Sequence, residues 1–253
     1  MSGKGLMISR RGLIGGLGST SALMLTGCGE SQPPTYGNIL RMGDNLTYAM
    51  QRTLLSPMAL VREYDRSEVT SMPATGTYDP ARAELGLHDP QGGQDYAILR
   101  KGGFADWRLV VEGLVDRPAS FSLADLQRMQ RRTQITRHSC EEGWSAIAEW
   151  TGVPLHTVLE TVGAKPSARY VEFYTFDKMA DNIDMIDALH PQTILAYGMN
   201  GRDLPIGHGA PVRLRVERQI GYKSLKYVRR IVVSDKFADL GNISSGWAWY
   251  NGI

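Results

Sequence analysis

Residues 138–155 read HSCEEGWSAIAEWTGVPL. The segment holds Cys140, one of two cysteines in the 253-residue chain. A free cysteine is most often a small apolar core residue. Here Arg137, His138, Glu141 and Glu142 surround it, poor company for an inert side chain. A buried structural thiol, a nucleophile, a redox-sensing thiol and a metal ligand all remain open on residue type alone. In an extended segment, His138 lies two residues before Cys140 and so on the same side. It suits a proton donor, an orienting group or a structural histidine.

Outward from this stretch, strands outnumber helices. Downstream, Pro154 opens and Gly163 closes a helix in TGVPLHTVLETVG. RYVEFYT (169–175) alternates, with Val171 and Phe173 on one face and Tyr170, Glu172 and Tyr174 on the other. Asn200-Gly201 predicts a hairpin turn. PVRLRVE (211–217) predicts a strand with Val212, Leu214 and Val216 inward and Arg213, Arg215 and Glu217 outward. YVRRIVVSD closes the core, and SGWAWYNGI reads as a docked apolar tail and a candidate cytochrome contact. Upstream, WRLVVEGLV (107–115) predicts a strand, and Ser122 with Asp125 a helix start. Asp44 or Asn45 caps a helix that carries Leu46, Ala49, Met50 and Leu54 on one face and stops before Pro57. SMPATGTYDP (71–80) and HDPQGGQD (88–95) are loops; His88 has no visible partner there, and His156 and His190 read as structural. The pattern is that of a mixed α+β domain over residues 44–253.

The N-terminus is of another kind. Arg10 and Arg11 precede a weakly apolar run from Gly12 to Gly27, too short and polar for a span of ~20 apolar residues. This is the layout of a twin-arginine export signal, ending in LTGC, a lipoprotein-type box. The expectation is a signal peptide at 1–27, a lipidated Cys28 with a Pro/Gly linker through residue 43, and a periplasmic or extracytoplasmic protein lipid-anchored to a membrane. The full chain has 28 basic and 26 acidic residues. Without Lys4, Arg10 and Arg11 the balance is 25 to 26, which gives no footing for nucleic acid. With Cys28 acylated, Cys140 has no disulfide partner within the chain.

GHGAPVRLRVERQIGYKSLKYV (207–228) gathers Arg213, Lys223 and Lys226 beside a glycine-rich turn, a density of donors suited to a phosphate. Taken with C-x-x-x-W-S…W-x-G-x-P-L-H from Cys140, it resembles the sulfite-oxidase family of molybdenum enzymes. The likeness is greatest to the exported bacterial branch that includes the protein-methionine-sulfoxide reductase catalytic subunit. The resemblance is strong from about Trp107 to Asp235. It implies a single sulfite-oxidase-type molybdopterin-binding domain of mixed sheets and short helices, with Mo-molybdopterin as cofactor and Cys140 as the metal's thiolate. It further implies cofactor contacts at Thr75, Tyr78, Asp79, Thr175, His208, Arg213, Ser224, Leu225 and Lys226. His208 and Thr75 replace asparagines of the reductase pattern.

A metal-held thiolate resists oxidation, and folded export suits a protein loaded with its cofactor in the cytoplasm. The expected activity is reduction of an S-oxide or N-oxide, small or protein-bound, by oxygen-atom transfer. Electrons would come from a membrane donor such as a b-type cytochrome or a quinol-linked protein. Sulfite dehydrogenase chemistry is the alternative, with Arg137, Arg215 and Arg218 as candidate sulfite ligands. Two further readings are a metal-free lipid-anchored scaffold and a Cys140–His138 hydrolase. The expected state is a monomer.

Overall fold

Alternation and turn chemistry along the chain close into two five-stranded sheets among the described residues. The structure is a computed structural model and describes residues 39–82, 90–244 and 247–253. The signal and lipid-box readings, the linker as far as residue 38 and His88 lie outside those residues.

The first sheet contains β1 (Arg108–Gly113), β2 (Ala119–Ser122), β5 (Tyr170–Thr175), β6 (Ala180–Asp184) and β10 (Val228–Ser234), in the order β2-β1-β10-β5-β6. Only β1 and β10 run parallel in it. The second sheet is antiparallel: β3 (Arg132–Ser139), β4 (Ser145–Pro154), β7 (Ile194–Met199) and β8 (Arg202–Asp203) in order, with β9 (Arg213–Arg215) paired to β7. The helices are α1 (Ile39–Leu54), α2 (Pro90–Lys101), α3 (Leu123–Arg128), α4 (Leu155–Val162), α5 (Met185–Ala188) and α6 (Gly241–Ser244). This is the α+β arrangement expected.

Local signals explain several boundaries. Ser122 accepts from the Asp125 backbone N–H at 3.1 Å while Asp125 accepts from that of Ser122 at 2.9 Å, a closed capping box that starts α3. Helix α4 ends at Gly163, whose φ of +69° is left-handed. Leu155, Val158, Leu159 and Val162 of α4 are buried in the main core with β1, β5 and β10. At ~1.5–3 kcal/mol per buried aliphatic side chain, these four contribute on the order of 6–12 kcal/mol before entropy is set against them. A side chain at Gly163 would be strained in φ and would meet the Asp116 carboxylate at 2.9 Å.

Four expectations change. The HDPQGGQD stretch is not all loop, since α2 starts at Pro90 and takes in its last six residues. Helix α1 begins at Ile39, so Asp44 and Asn45 lie inside it rather than capping it; their side-chain oxygens accept from the Trp249 backbone N–H and indole N–H instead. Arg213, Arg215 and Glu217 do not face solvent. All three are buried, because β9 is covered on both sides: Val212, Leu214 and Val216 enter the main core, and the arginines stack on Trp150. In β5 both faces are buried, Tyr170 lying under Phe237. The apolar tail is docked as expected, with Trp249 and Tyr250 packed against Tyr48 and Phe237.

Candidate active site

Five loops converge on a cavity of about 450 Å³. The β3–β4 turn contributes Cys140, closed by Cys140 N–H to the Trp144 carbonyl at 2.9 Å and by Gly143 at a φ of +89°. This turn places the thiol at the end of a rigid eight-residue strand. His138, on the same strand, lines the cavity as well. The 72–77 loop, the β5–β6 turn with Asp177 and Met179, the Gly207–His208 turn and the 221–226 segment supply the rest of the wall.

The inner part of this wall is rich in positive charge. Arg213 is buried, and its guanidinium donates to the carbonyls of His208 (3.0 Å) and Ser224 (2.8 Å), leaving Nε without a partner. Lys226 Nζ donates to the carbonyls of Thr75 (2.8 Å), Gly207 (3.1 Å) and Thr77. Neither cation pairs with a described carboxylate within salt-bridge distance. Asp177 is the buried carboxylate of the wall, and it accepts from the Thr175 hydroxyl at 2.5 Å. Burial, then the neighbouring Arg215, pushes Arg213 down to about 9. Burial, then Arg213, brings Lys226 to about 8, and burial with both cations brings His208 to about 4. Buried cations without a directly paired carboxylate are costly. The cavity is built for an anion.

Cys140 is buried at the same cavity. Burial, then Glu141 and Glu142, hold its thiol above the usual cysteine range, the opposite of what an activated nucleophile needs. The His138 ring is locked. Arg215, which can only donate, reaches Nδ1 at 2.6 Å while its other nitrogens pair with Glu217 at 3.0 and 2.7 Å. The ring proton therefore sits on Nε2. Burial, then Arg215, pushes the His138 pKa down to about 2, so a Cys140–His138 hydrolase has no base.

A molybdopterin fits these residues. Its phosphate would meet Arg213 and Lys226, and Cys140 would give the metal one sulfur. Among the described residues no three His, Cys, Asp or Glu side chains converge, so the metal's remaining ligands would come with the cofactor. The volume lies in the ~300–1,000 Å³ range of ligand pockets.

Of the residues the sequence suggests, Thr75, His138, Cys140, His208, Arg213, Ser224, Leu225 and Lys226 line the cavity, and Tyr78, Asp79 and Thr175 do not. Tyr78 is exposed, with its ring edge against Gly207 of the cavity wall and its carbonyl accepting from the Tyr227 hydroxyl. The Asp79 carboxylate holds Arg100 of α2 at 2.5 Å. Thr175 sits behind Asp177 as its hydrogen-bond donor. The sequence reading does not assign Thr77, Trp144, Asp177, Tyr222 or Trp247 to the site, although all line it. Trp144 stands within the quoted C-x-x-x-W spacing, a usable signal. The others are brought in by turns distant in sequence.

This fold and wall define a molybdopterin-binding oxidoreductase domain, and the comparisons agree. Residues 98–240 match the family described as "Oxidoreductase molybdopterin binding domain". A protein of Azospira oryzae, provisionally named protein-methionine-sulfoxide reductase subunit YedZ1, is 33% identical over 246 residues, covering 97% of this chain and 86% of that protein. The protein-methionine-sulfoxide reductase catalytic subunit MsrP of Xanthomonas campestris is 29% identical over 249 residues, covering 91% of this chain and 71% of that one. The sulfane dehydrogenase SoxCD from Paracoccus pantotrophus is similar in structure, with a TM-score of 0.51 and 28% identity over 53% of this chain and 40% of that one. The chain belongs to the oxidoreductase molybdopterin-binding domain family. It is a molybdopterin-dependent oxidoreductase of the sulfite-oxidase type, and its cofactor is Mo-molybdopterin.

Proposed function

We propose that the enzyme reduces an S-oxide, taking up two electrons and two protons and yielding a thioether and water. The observation that carries this reading is the chemistry of the cavity mouth. Glu141 and Glu142 are exposed there beside Trp144 and Trp247, and Tyr222 meets Trp247 edge-on at 5.0 Å. Sulfite is an anion and is repelled by paired carboxylates, whereas a neutral sulfoxide with alkyl groups suits aromatic faces. Arginines that could hold sulfite are committed elsewhere. Arg137 lies over Tyr64 on another groove, Arg215 is paired with Glu217, and Arg218 donates to the Pro57 carbonyl.

The bound cofactor supplies the two-electron chemistry and the acceptor for oxygen. The chain supplies the rest. Cys140 holds the metal as thiolate, with Arg213, Lys226 and His208 about the phosphate and Thr75, Ser224 and Leu225 against the remainder of the cofactor. His138 offers Nε2–H as a fixed hydrogen-bond donor, and the aromatic rim orients the substrate's carbons. Names of relatives as methionine-sulfoxide reductases support this direction; a relative named sulfane dehydrogenase supports the oxidative alternative.

Dye assays decide between them. Reduced viologen should be oxidised by methionine sulfoxide, free or in a peptide, and sulfite should not reduce ferricyanide. The reverse pattern overturns the reading. The electron donor is proposed to be a membrane protein, since the N-terminal sequence has the form of a twin-arginine signal with an acylated Cys28. Lysine at both Arg10 and Arg11 should block export, and mass spectrometry of the mature N-terminus should find acyl chains on Cys28.

A further inference from the structure

Helix α1 is docked the wrong way round for a globular protein. Asp44, Asn45, Tyr48, Gln51 and Arg52 occupy one side and hold the body. Trp249 binds Asp44 at 3.3 Å and Asn45 at 3.0 Å, and the Tyr250 hydroxyl donates to Gln51 at 2.7 Å. Arg52 reaches both Asp184 oxygens at 3.0 and 2.9 Å and pairs with Asp187 at 2.9 Å. On the opposite side Met42, Leu46, Met50 and Leu54, four residues apart in succession, are 52, 50, 52 and 74% exposed. Leu55, Met58 and Leu60 continue the exposed apolar surface beyond the helix end. An amphipathic helix ordinarily buries its apolar stripe. Here the polar face is tied down and the apolar face is turned out.

We propose that this face lies in a lipid surface, as an interfacial helix parallel to the membrane. The occupant follows from the sequence on either side. Only ten residues separate Cys28 from Ile39, and at ~3.3–3.6 Å per residue the eleven steps span at most about 40 Å. An acylated Cys28 would therefore hold the stripe within reach of the bilayer that takes its chains. From Asn45 to Arg62 the chain has no acidic residue, so nothing in that run repels anionic headgroups. The stripe consists of leucine and methionine, without the Trp, Tyr and Arg anchors that dominate the binding energy of protein–protein interfaces. No described helix is long and apolar enough to cross a membrane, and a helix with one apolar face sits ~5–10 Å deep at the headgroup boundary instead. The inference rests on the extracytoplasmic, acylated reading above, and adds a second contact that fixes orientation as well as location.

The test places an environment-sensitive fluorophore at Met50→Cys, and separately at the exposed control Ser167→Cys, in the full cofactor-loaded protein. The protein is reconstituted in phosphatidylethanolamine/phosphatidylglycerol vesicles carrying a spin-labelled lipid quencher. The probe at 50 should be quenched at least threefold more than the probe at 167, and Leu46→Glu should bring the two together. Equal quenching at both sites overturns the proposal. So does a blue-shifted probe at 50 that lipid cannot quench, because protein then covers the stripe, whether a second copy or another partner. Acylation of Cys28 is measured separately by mass. Its absence sinks the anchor, while quenching of freely added protein still decides the helix.

Discussion

The cavity and the leading helix break the same rule in opposite directions. At the cavity, Arg213 and Lys226 are drawn inside without carboxylate partners; on α1, Leu46, Met50 and Leu54 are left outside without apolar ones. Elsewhere the molecule obeys ordinary burial: charged pairs inside are matched, as Arg215 is with Glu217 and Lys223 with Asp181 at 2.7 Å each. These two local imbalances mark where something else belongs. The inner cavity holds buried cations with no directly paired carboxylate, and the helix lacks apolar cover.

The comparison can be broken most sharply at the thiol. Cys140→Ser should lower turnover by more than the ~10–100-fold typical of changes outside a metal's ligands, with little change in thermal stability. A variant that keeps full activity ends the metal-ligand assignment. Next is Arg213→Met, which removes two charge-assisted donors and should leave purified protein with under about a tenth of the wild-type pterin phosphate. Full retention would mean that the buried charge serves the fold alone.

The helix side is tested by Arg52→Ala, which strands Asp184 and Asp187 in the interior. Losing one partner of a buried ion pair typically destabilises by ~3–5 kcal/mol. For a domain of this size that is a fall in Tm of roughly 6–20 °C by calorimetry. A shift under a degree would show that α1 is seated by Trp249 and Tyr250 alone. A smaller effect is expected at the mouth. Glu141→Gln with Glu142→Gln should raise sulfite kcat/KM relative to methionine sulfoxide about fivefold at low ionic strength, fading in salt.

The gentlest probe is pH. His208 titrates near 6.5 in the unfolded chain and is held down to about 4 in the fold by burial, Arg213 and Lys226. Between those values the unfolded state binds more protons, so cofactor-free protein should lose stability as pH falls from about 6.5 to 4. His208→Gln should flatten that part of a melting profile.

Much of this was legible in the residues, for definite reasons. The capping box at Ser122, the Pro154-to-Gly163 helix and the Asn200-Gly201 hairpin are local, and local chemistry survives folding. Asn200 and Gly201 take φ of +51° and +74°, a region that asparagine tolerates and glycine, lacking a Cβ, enters freely. Cys140, Arg213 and the 224–226 run were found through motif spacing and do meet at the cavity. What failed needed tertiary knowledge. Alternation in 211–217 is real, yet it cannot say that both faces of β9 are covered. Periodicity in α1 shows an apolar stripe but not the side to which it turns, because that depends on Trp249, about 200 residues later. Asp79 and Tyr78 stand near the cofactor loop in sequence; in the fold the Asp79 carboxylate holds Arg100 of α2 and the Tyr78 ring edge lies against Gly207.

The docking of the tail on α1 has a mechanical consequence. Trp249 and Tyr250 grip the leading helix, and two residues before them Trp247 meets Tyr222 at the substrate entrance. Helix α1 and the 247–253 segment thus form a clasp that reaches the proposed substrate entrance through Trp247. An insertion within 247–253 would disturb the helix seat and the aromatic gate together, so reporters are better inserted elsewhere, at an exposed turn such as Lys165–Ser167.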